Sequence, residues 1–223
     1  MIGRREFMAA AAGACLSGYR APVLGASGDT YLSWTPQQVE QIARSTKRTG
    51  KVGSKFNERW LKTERAVNYK LIATWMTPEV IQATARWHQL QKRLSDAETR
   101  QLVADARGAG DSVFMIELDP REGSGVIPND WETYLQPRGV GASGGPSVRG
   151  VSTPRLRSLP ALAGIDRRNY DYDRFWVVFP LTTAEGQGIF GPASREAELI
   201  TRVYSQEERT YWPVPESLRN AAR

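Results

Sequence analysis

Cysteine and histidine are nearly absent from this 223-residue chain, which has one of each, Cys15 and His88. A disulfide needs two thiols, so no bridge within the chain staples the fold, and stability has to come from a packed core. One histidine excludes two-histidine zinc sites and histidine-rich copper sites within a single chain. One cysteine excludes thiolate-ligated iron clusters. Neither a metal nor another cofactor is expected. Long hydrophobic runs are missing too: nothing after the first residues approaches the ~20 apolar positions of a membrane-spanning helix, and none is expected. What remains is ordinary for a globular domain, 40% apolar and 24% charged.

The chain opens Met1-Ile2-Gly3-Arg4-Arg5-Glu6-Phe7-Met8, and a weakly hydrophobic, Ala-rich run follows as far as Leu16. Residues 21–26 end in small side chains. Arg4, Arg5 and Phe7 with this run resemble a twin-arginine export signal, with Gly3 where Ser or Thr is common. The resemblance covers residues 1–26 only. It implies an exported protein, periplasmic or extracellular, cleaved near Ala26, and says nothing of its activity. Twin-arginine substrates often carry metal cofactors. Where the composition excludes most metal sites, the resemblance implies export of a chain that folds before transport. Ala12-Gly13-Ala14-Cys15 loosely resembles a lipoprotein cleavage box without its usual Leu. On that resemblance Cys15 is the lipidation site and the domain is lipid-anchored. Otherwise Cys15 is one more small apolar residue of the run.

Charge is unevenly placed. Arg44, Lys47, Arg48, Lys51, Lys55, Arg59, Lys62, Arg65 and Lys70 face only Glu58 and Glu64, a local balance of +7. The whole chain carries +6, so the remainder is near −1. Arg44, Lys47, Arg48, Lys51, Lys55, Arg59 and Lys62 are candidate anion-binding residues. The partner would be an envelope component: a protein, an anionic polysaccharide or a lipid surface. Nucleic acid is set aside because an exported protein rarely meets it. The alternative is a solvated helical face.

Periodicity outlines the architecture. Thr35-Pro36-Gln37-Gln38 predicts a capped helix start, and the helix is expected to run to about Gly50. Val67, Tyr69, Leu71, Ala73 and Trp75 alternate with Asn68, Lys70, Ile72 and Thr74, a half-buried strand. Thr77-Pro78 opens a second helix with Val80, Ala83, Trp87, Leu90 and Leu94 as its apolar stripe. Ser95 and Glu98 form a capping box for a third, ending at Gly108. A strand follows over 112–118, with Phe114, Ile116 and Leu118 on one face and Glu117 on the other. Residues 120–154 are rich in Gly, Pro and Ser, and a short irregular strand is expected over 155–165. Residues 175–179 read as a strand buried on both faces. Residues 199–204 and 210–214 read as a hairpin around the polar 205–209. Pro213 and Pro215 place the last strand at an edge. The strands are mostly not separated by helices. The expected class is therefore α+β, an antiparallel sheet or β-sandwich with an inserted helical hairpin and an N-terminal helix. Behind the leader, residues 27–66 form a basic helical segment. Residues 67–223 form a β-rich domain with the hairpin at about 78–108.

Motifs for catalysis fail on context. Gly141-Ala142-Ser143-Gly144-Gly145 matches G-x-S-x-G, but lies between prolines rather than between a strand and a helix. His88 also precedes it, where the triad order needs a later histidine. Gly139, Gly141 and Gly144 satisfy G-x-G-x-x-G with the same missing context. His88 lies beside the apolar stripe of its helix, a packing or surface histidine rather than a catalytic one. Glu117, Asp119, Glu122, Asp130 and Glu132 cluster where a strand meets a loop. Two of them could act as acid and base in glycoside cleavage, bind calcium, or solvate a strand end. Asp166, Asp171 and Asp173 interleave with Arg167, Arg168 and Arg174, which predicts local pairing. Trp34, Trp60, Trp131, Tyr134, Tyr170, Tyr172 and Trp212 fall outside the clearest core runs. They could stack on sugars or partner surfaces, or fill the core and anchor loops. The expected function is an exported, non-catalytic binding or accessory protein of the cell envelope. The alternative is a carboxylate-based hydrolase of polysaccharide.

Overall fold

Side-chain caps start the helices where the sequence places them. The computed structural model describes residues 29–53, 68–120, 126–139, 146–166 and 173–220. After a 3-10 turn, Asp29–Ser33, helix α1 spans Pro36–Ser45. Thr35 accepts from the Gln38 amide, and the Gln38 side chain accepts from the Thr35 amide. Helix α2, Pro78–Lys92, begins on Thr77, and α3, Asp96–Arg107, on the reciprocal Ser95–Glu98 box. Each cap satisfies amides that the first helical turn leaves without partners. A short helix α4, Glu216–Asn220, closes the described chain.

Among the described residues nine strands form two sheets, and every pairing there is antiparallel. They are β1 Lys47–Gly53, β2 Asn68–Trp75, β3 Ser112–Pro120, β4 Glu132–Pro137, β5 Val148–Arg149, β6 Val151–Ser152, β7 Asp173–Phe179, β8 Glu196–Val203 and β9 Gln206–Pro213. The five-stranded sheet runs β1-β2-β3-β7-β6, the four-stranded sheet β5-β4-β8-β9.

The strand pattern makes three layers. On β3, Phe114, Ile116 and Leu118 enter a core between the two sheets, while Val113 and Met115 face the helices. On β7, Val177 and Phe179 face the sandwich and Trp176 faces the helices. Residues 175–179 therefore read as one apolar run because both faces are covered. Trp75 stacks on Phe114 with centroids 5.1 Å apart, and Trp212 meets Phe114 edge-on at 5.2 Å, joining the sheets through aromatic contacts. The Trp75 indole donates to Ser112 at 2.9 Å, so its polar atom is not stranded in the core. Behind the five-stranded sheet, Val39, Ala43, Val80, Ile81, Val103 and Ala106 build the helical layer.

Two edges bring the sheets together. Trp212 donates its indole N–H to Thr46, and Arg48 donates to the Tyr211 carbonyl at 3.0 Å, so β1 lies beside β9. On the other side the chain passes from β5 to β6 through Gly150 alone. A Cβ there would sit 2.4 Å from Val177 Cγ1 and 2.7 Å from the Phe179 ring, so only glycine fits the crossing.

Four local expectations are corrected. The first helix ends at Ser45, and 47–53 is a strand. Only Val52 of β1 is buried, so no apolar alternation announced it. Residues 155–165 form two 3-10 turns, Pro154–Ser158 and Pro160–Leu162, rather than a strand, each opened by a proline that cannot donate to a ladder. The last hairpin turns on Tyr204 and Ser205 alone. Residues 206–209 are in the strand, with Glu207 and Arg209 on its solvent side. On α2 the burial extends to Ile81, Thr84, Ala85 and Gln89, while Leu90 is exposed, because α1, α3 and the Pro160–Leu162 turn all pack against this helix.

Candidate functional site

Among the described residues the candidate acids divide between the two sheets. Glu117, on the helix side of β3, is 2% exposed and sits opposite Arg174 of β7, whose guanidinium reaches its Oε1 at 3.1 Å. Arg174 also donates to the Ala163 carbonyl at 3.1 Å, which ties the pair into the fold. Asp119 lies two residues on, in register with Lys70. Asp130 is exposed in the turn before β4. Glu132 begins β4 in the other sheet. Glu122 lies outside the described residues, as do Arg4, Arg5, Phe7, Cys15, Lys55, Arg59, Lys62 and the 141–145 glycine loop.

Glu132 and Trp131 line a cleft of about 670 Å³ with residues that the sequence does not associate with them. It opens between the first residues of β4 on one sheet and of β7 on the other, beside the β5–Gly150–β6 crossing. Trp131 packs against Phe175 with ring centroids 4.8 Å apart and planes at 58°. Both carboxylate oxygens of Glu132 are engaged. Oε2 accepts from the Tyr134 hydroxyl at 2.8 Å, and Oε1 faces Arg149 at 2.8 Å. That hydrogen bond, with some burial, pushes the Tyr134 hydroxyl above its usual pKa. Asp173 is the other acid of the lining; it is exposed, and no described residue pairs with its carboxylate. Exposed Val151 and Ser152 complete the rim from β6.

Of the interleaved charges, Asp166, Asp173 and Arg174 are described, and none of the three bonds to another, while Arg167, Arg168 and Asp171 lie outside the described residues. Asp166 reaches back to α1 and β1, accepting from Arg44 at 3.0 Å and Lys47 at 2.5 Å. Burial alone would raise the Asp166 carboxyl; the hydrogen bonds from Lys47 and Arg44 outweigh it and hold the group below its usual pKa. Arg44 also pairs with Glu40. Arg48 donates to the carbonyls of Ser45, Lys47 and Tyr211. Of the anion-binding candidates that are described, only Lys51 stands exposed without such a commitment.

The outward side of the four-stranded sheet is neutral and internally paired. Arg138, Arg202 and Arg209 bond to Glu196, Glu207 and Glu198 respectively. Trp34 and Trp212 are core residues, whereas Trp131 and Tyr134 are half-buried; Trp60, Tyr170 and Tyr172 lie outside the described residues. His88 is half-buried. Burial first, and Lys92 second, lower its pKa against an opposing hydrogen bond at the Pro160 backbone. Among the described residues no group of three His, Cys, Asp or Glu side chains could hold a metal ion. No described helix is long and apolar enough to cross a membrane.

These features define a three-layer α+β domain with an aromatic, acid-bearing cleft at a sheet edge. No family model matches the chain, and neither does any curated protein or solved structure.

Proposed function

We propose that this is an exported, non-catalytic binding or accessory protein of the cell envelope, with its ligand site in the cleft of Trp131 and Glu132. One observation carries the non-catalytic reading: both oxygens of Glu132 are taken by Tyr134 and Arg149. Glycoside cleavage by paired carboxylates needs a proton donor and a second free acid. Among the described residues of this cleft only the Asp173 carboxylate has no partner, which speaks against the carboxylate-hydrolase alternative. The aromatic floor and polar rim remain, which suit binding. The export part rests on the leader's resemblance to a twin-arginine signal, and anchoring would follow if Cys15 is lipidated. The anion-docking role narrows to Lys51 with Lys55, Arg59 and Lys62, since Arg44, Lys47 and Arg48 serve internal contacts.

Retention of the full chain on isolated envelope polysaccharide tests the binding role. The expected result is retention without cleavage, and passage through every such matrix would reject it. Mass spectrometry of the protein from its native host tests export. Loss of the first 26 or so residues, or a diacylglyceryl group on Cys15, is expected, whereas an intact Met1 on a cytoplasmic species would reject it.

A further inference from the structure

The chemistry of the cleft restricts its ligand. Trp131, Phe175, Val177 and the 63% exposed Val151 give it an apolar floor. A flat ring with an apolar C–H face would stack on such a surface. Three charged residues line the cleft, and two cancel: Glu132 and Arg149 pair at 2.8 Å. The Asp173 carboxylate is left over, on the opposite sheet from Trp131. A protonated amine between them would meet a carboxylate and the face of an indole, which both favour a cation. An acidic sugar would instead bring like charge against Asp173.

The edges of the cleft disfavour an extended peptide. β5 already pairs with β4 at Tyr134 and Leu135, and β6 with β7 at Val177 and Val178. Strand addition needs a longer open edge. The volume of about 670 Å³ falls within the small-ligand range of roughly 300–1,000 Å³.

Resting on the binding role above, we propose that the cleft takes an amine-bearing saccharide, a chain of sugar rings with protonated amino groups. Trp131 stacks on a ring, Asp173 accepts from the ammonium, and Ser152 and Asn129 meet hydroxyls at the rim.

Titrating the full chain with a glucosamine oligomer and with its N-acetylated counterpart of equal length, at mildly acidic pH, tests this. The free-amine oligomer is expected to bind about tenfold more tightly, with the difference shrinking as salt rises. Asp173→Asn should abolish the difference, and Trp131→Ala should weaken both oligomers about tenfold, while Trp131→Phe keeps most of the affinity. Thermal melts of each variant confirm that it folds. Equal affinities in the wild type, or a preference that survives Asp173→Asn, would overturn the assignment. So would a lysine-rich peptide of equal charge binding as tightly, which would move the cleft to a peptide partner. Retention on an envelope polysaccharide that neither Asp173→Asn nor Trp131→Ala disturbs would reject this ligand and leave the binding role standing. No retention on any matrix would reject the binding role itself.

Discussion

Asp166 joins parts of the chain more than a hundred residues apart, through Arg44 of α1 and Lys47 of β1. Its folded pKa lies below the usual 3.8, so the unfolded state binds protons more readily. The pairing therefore stabilises the fold fully above pH ~4 and is lost as pH falls through the lower, folded value. Asp166→Asn is expected to cost about 1 kcal/mol at neutral pH, because these ion pairs are part-exposed and screened. Urea denaturation at pH 7 and again below pH ~3 checks it; the gap between variant and wild type should close in acid. His88 works in the other charge sense. Burial favours its neutral form, so its folded pKa lies below 6.5. The stability this gives is complete above pH ~6.5 and declines as the solution is acidified below it. An NMR titration of the single imidazole should place its midpoint below 6.5; a midpoint at or above that value would contradict the burial argument.

At the scale of elements, what the sequence disclosed follows from how local each signal is. The Ser95–Glu98 box lies within four residues and read directly. Ser95→Ala is expected to cost about 1 kcal/mol, read as a shift in the urea midpoint. Strands β2, β3 and β7 announced themselves because their apolar residues face a core on one side or both. β1 did not, because its burial is confined to Val52 and its order comes from pairing with β2. The β5–β6 crossing was also invisible. Its four strand residues lie in a stretch rich in Gly, Pro and Ser, and the demand for Gly150 comes from Val177 and Phe179 on another strand. Gly150→Ala should overpack that crossing by about 1–3 kcal/mol, measurable in the same denaturation series. The cleft was half legible. Trp131 and Glu132 stood out by type and position, but Asp173 was assigned to local arginines and Phe175 to a core run. Only strand register brings β7 to the edge beside β4, and that is a long-range property.

Across the whole molecule, one aromatic cluster couples the two sheets. Phe114 from the five-stranded sheet touches Trp212 from the four-stranded sheet and Phe179 beside it. Phe114→Ala is expected to cost roughly 3–5 kcal/mol, and both sheets should melt in a single transition. With no disulfide available within the chain, this core and the helical layer carry the stability of the fold. Among the described residues the outward side of the four-stranded sheet is neutral by internal pairing, so the unpaired acid of the cleft stands out. The proposed function has the cleft bind without cutting. Its most direct test incubates the full chain with envelope polysaccharide and measures, in one sample, the bound fraction and newly formed reducing ends. Retention with no increase in reducing ends is expected. Reducing ends that accumulate with the wild type and vanish with Glu132→Gln or Asp173→Asn would contradict it.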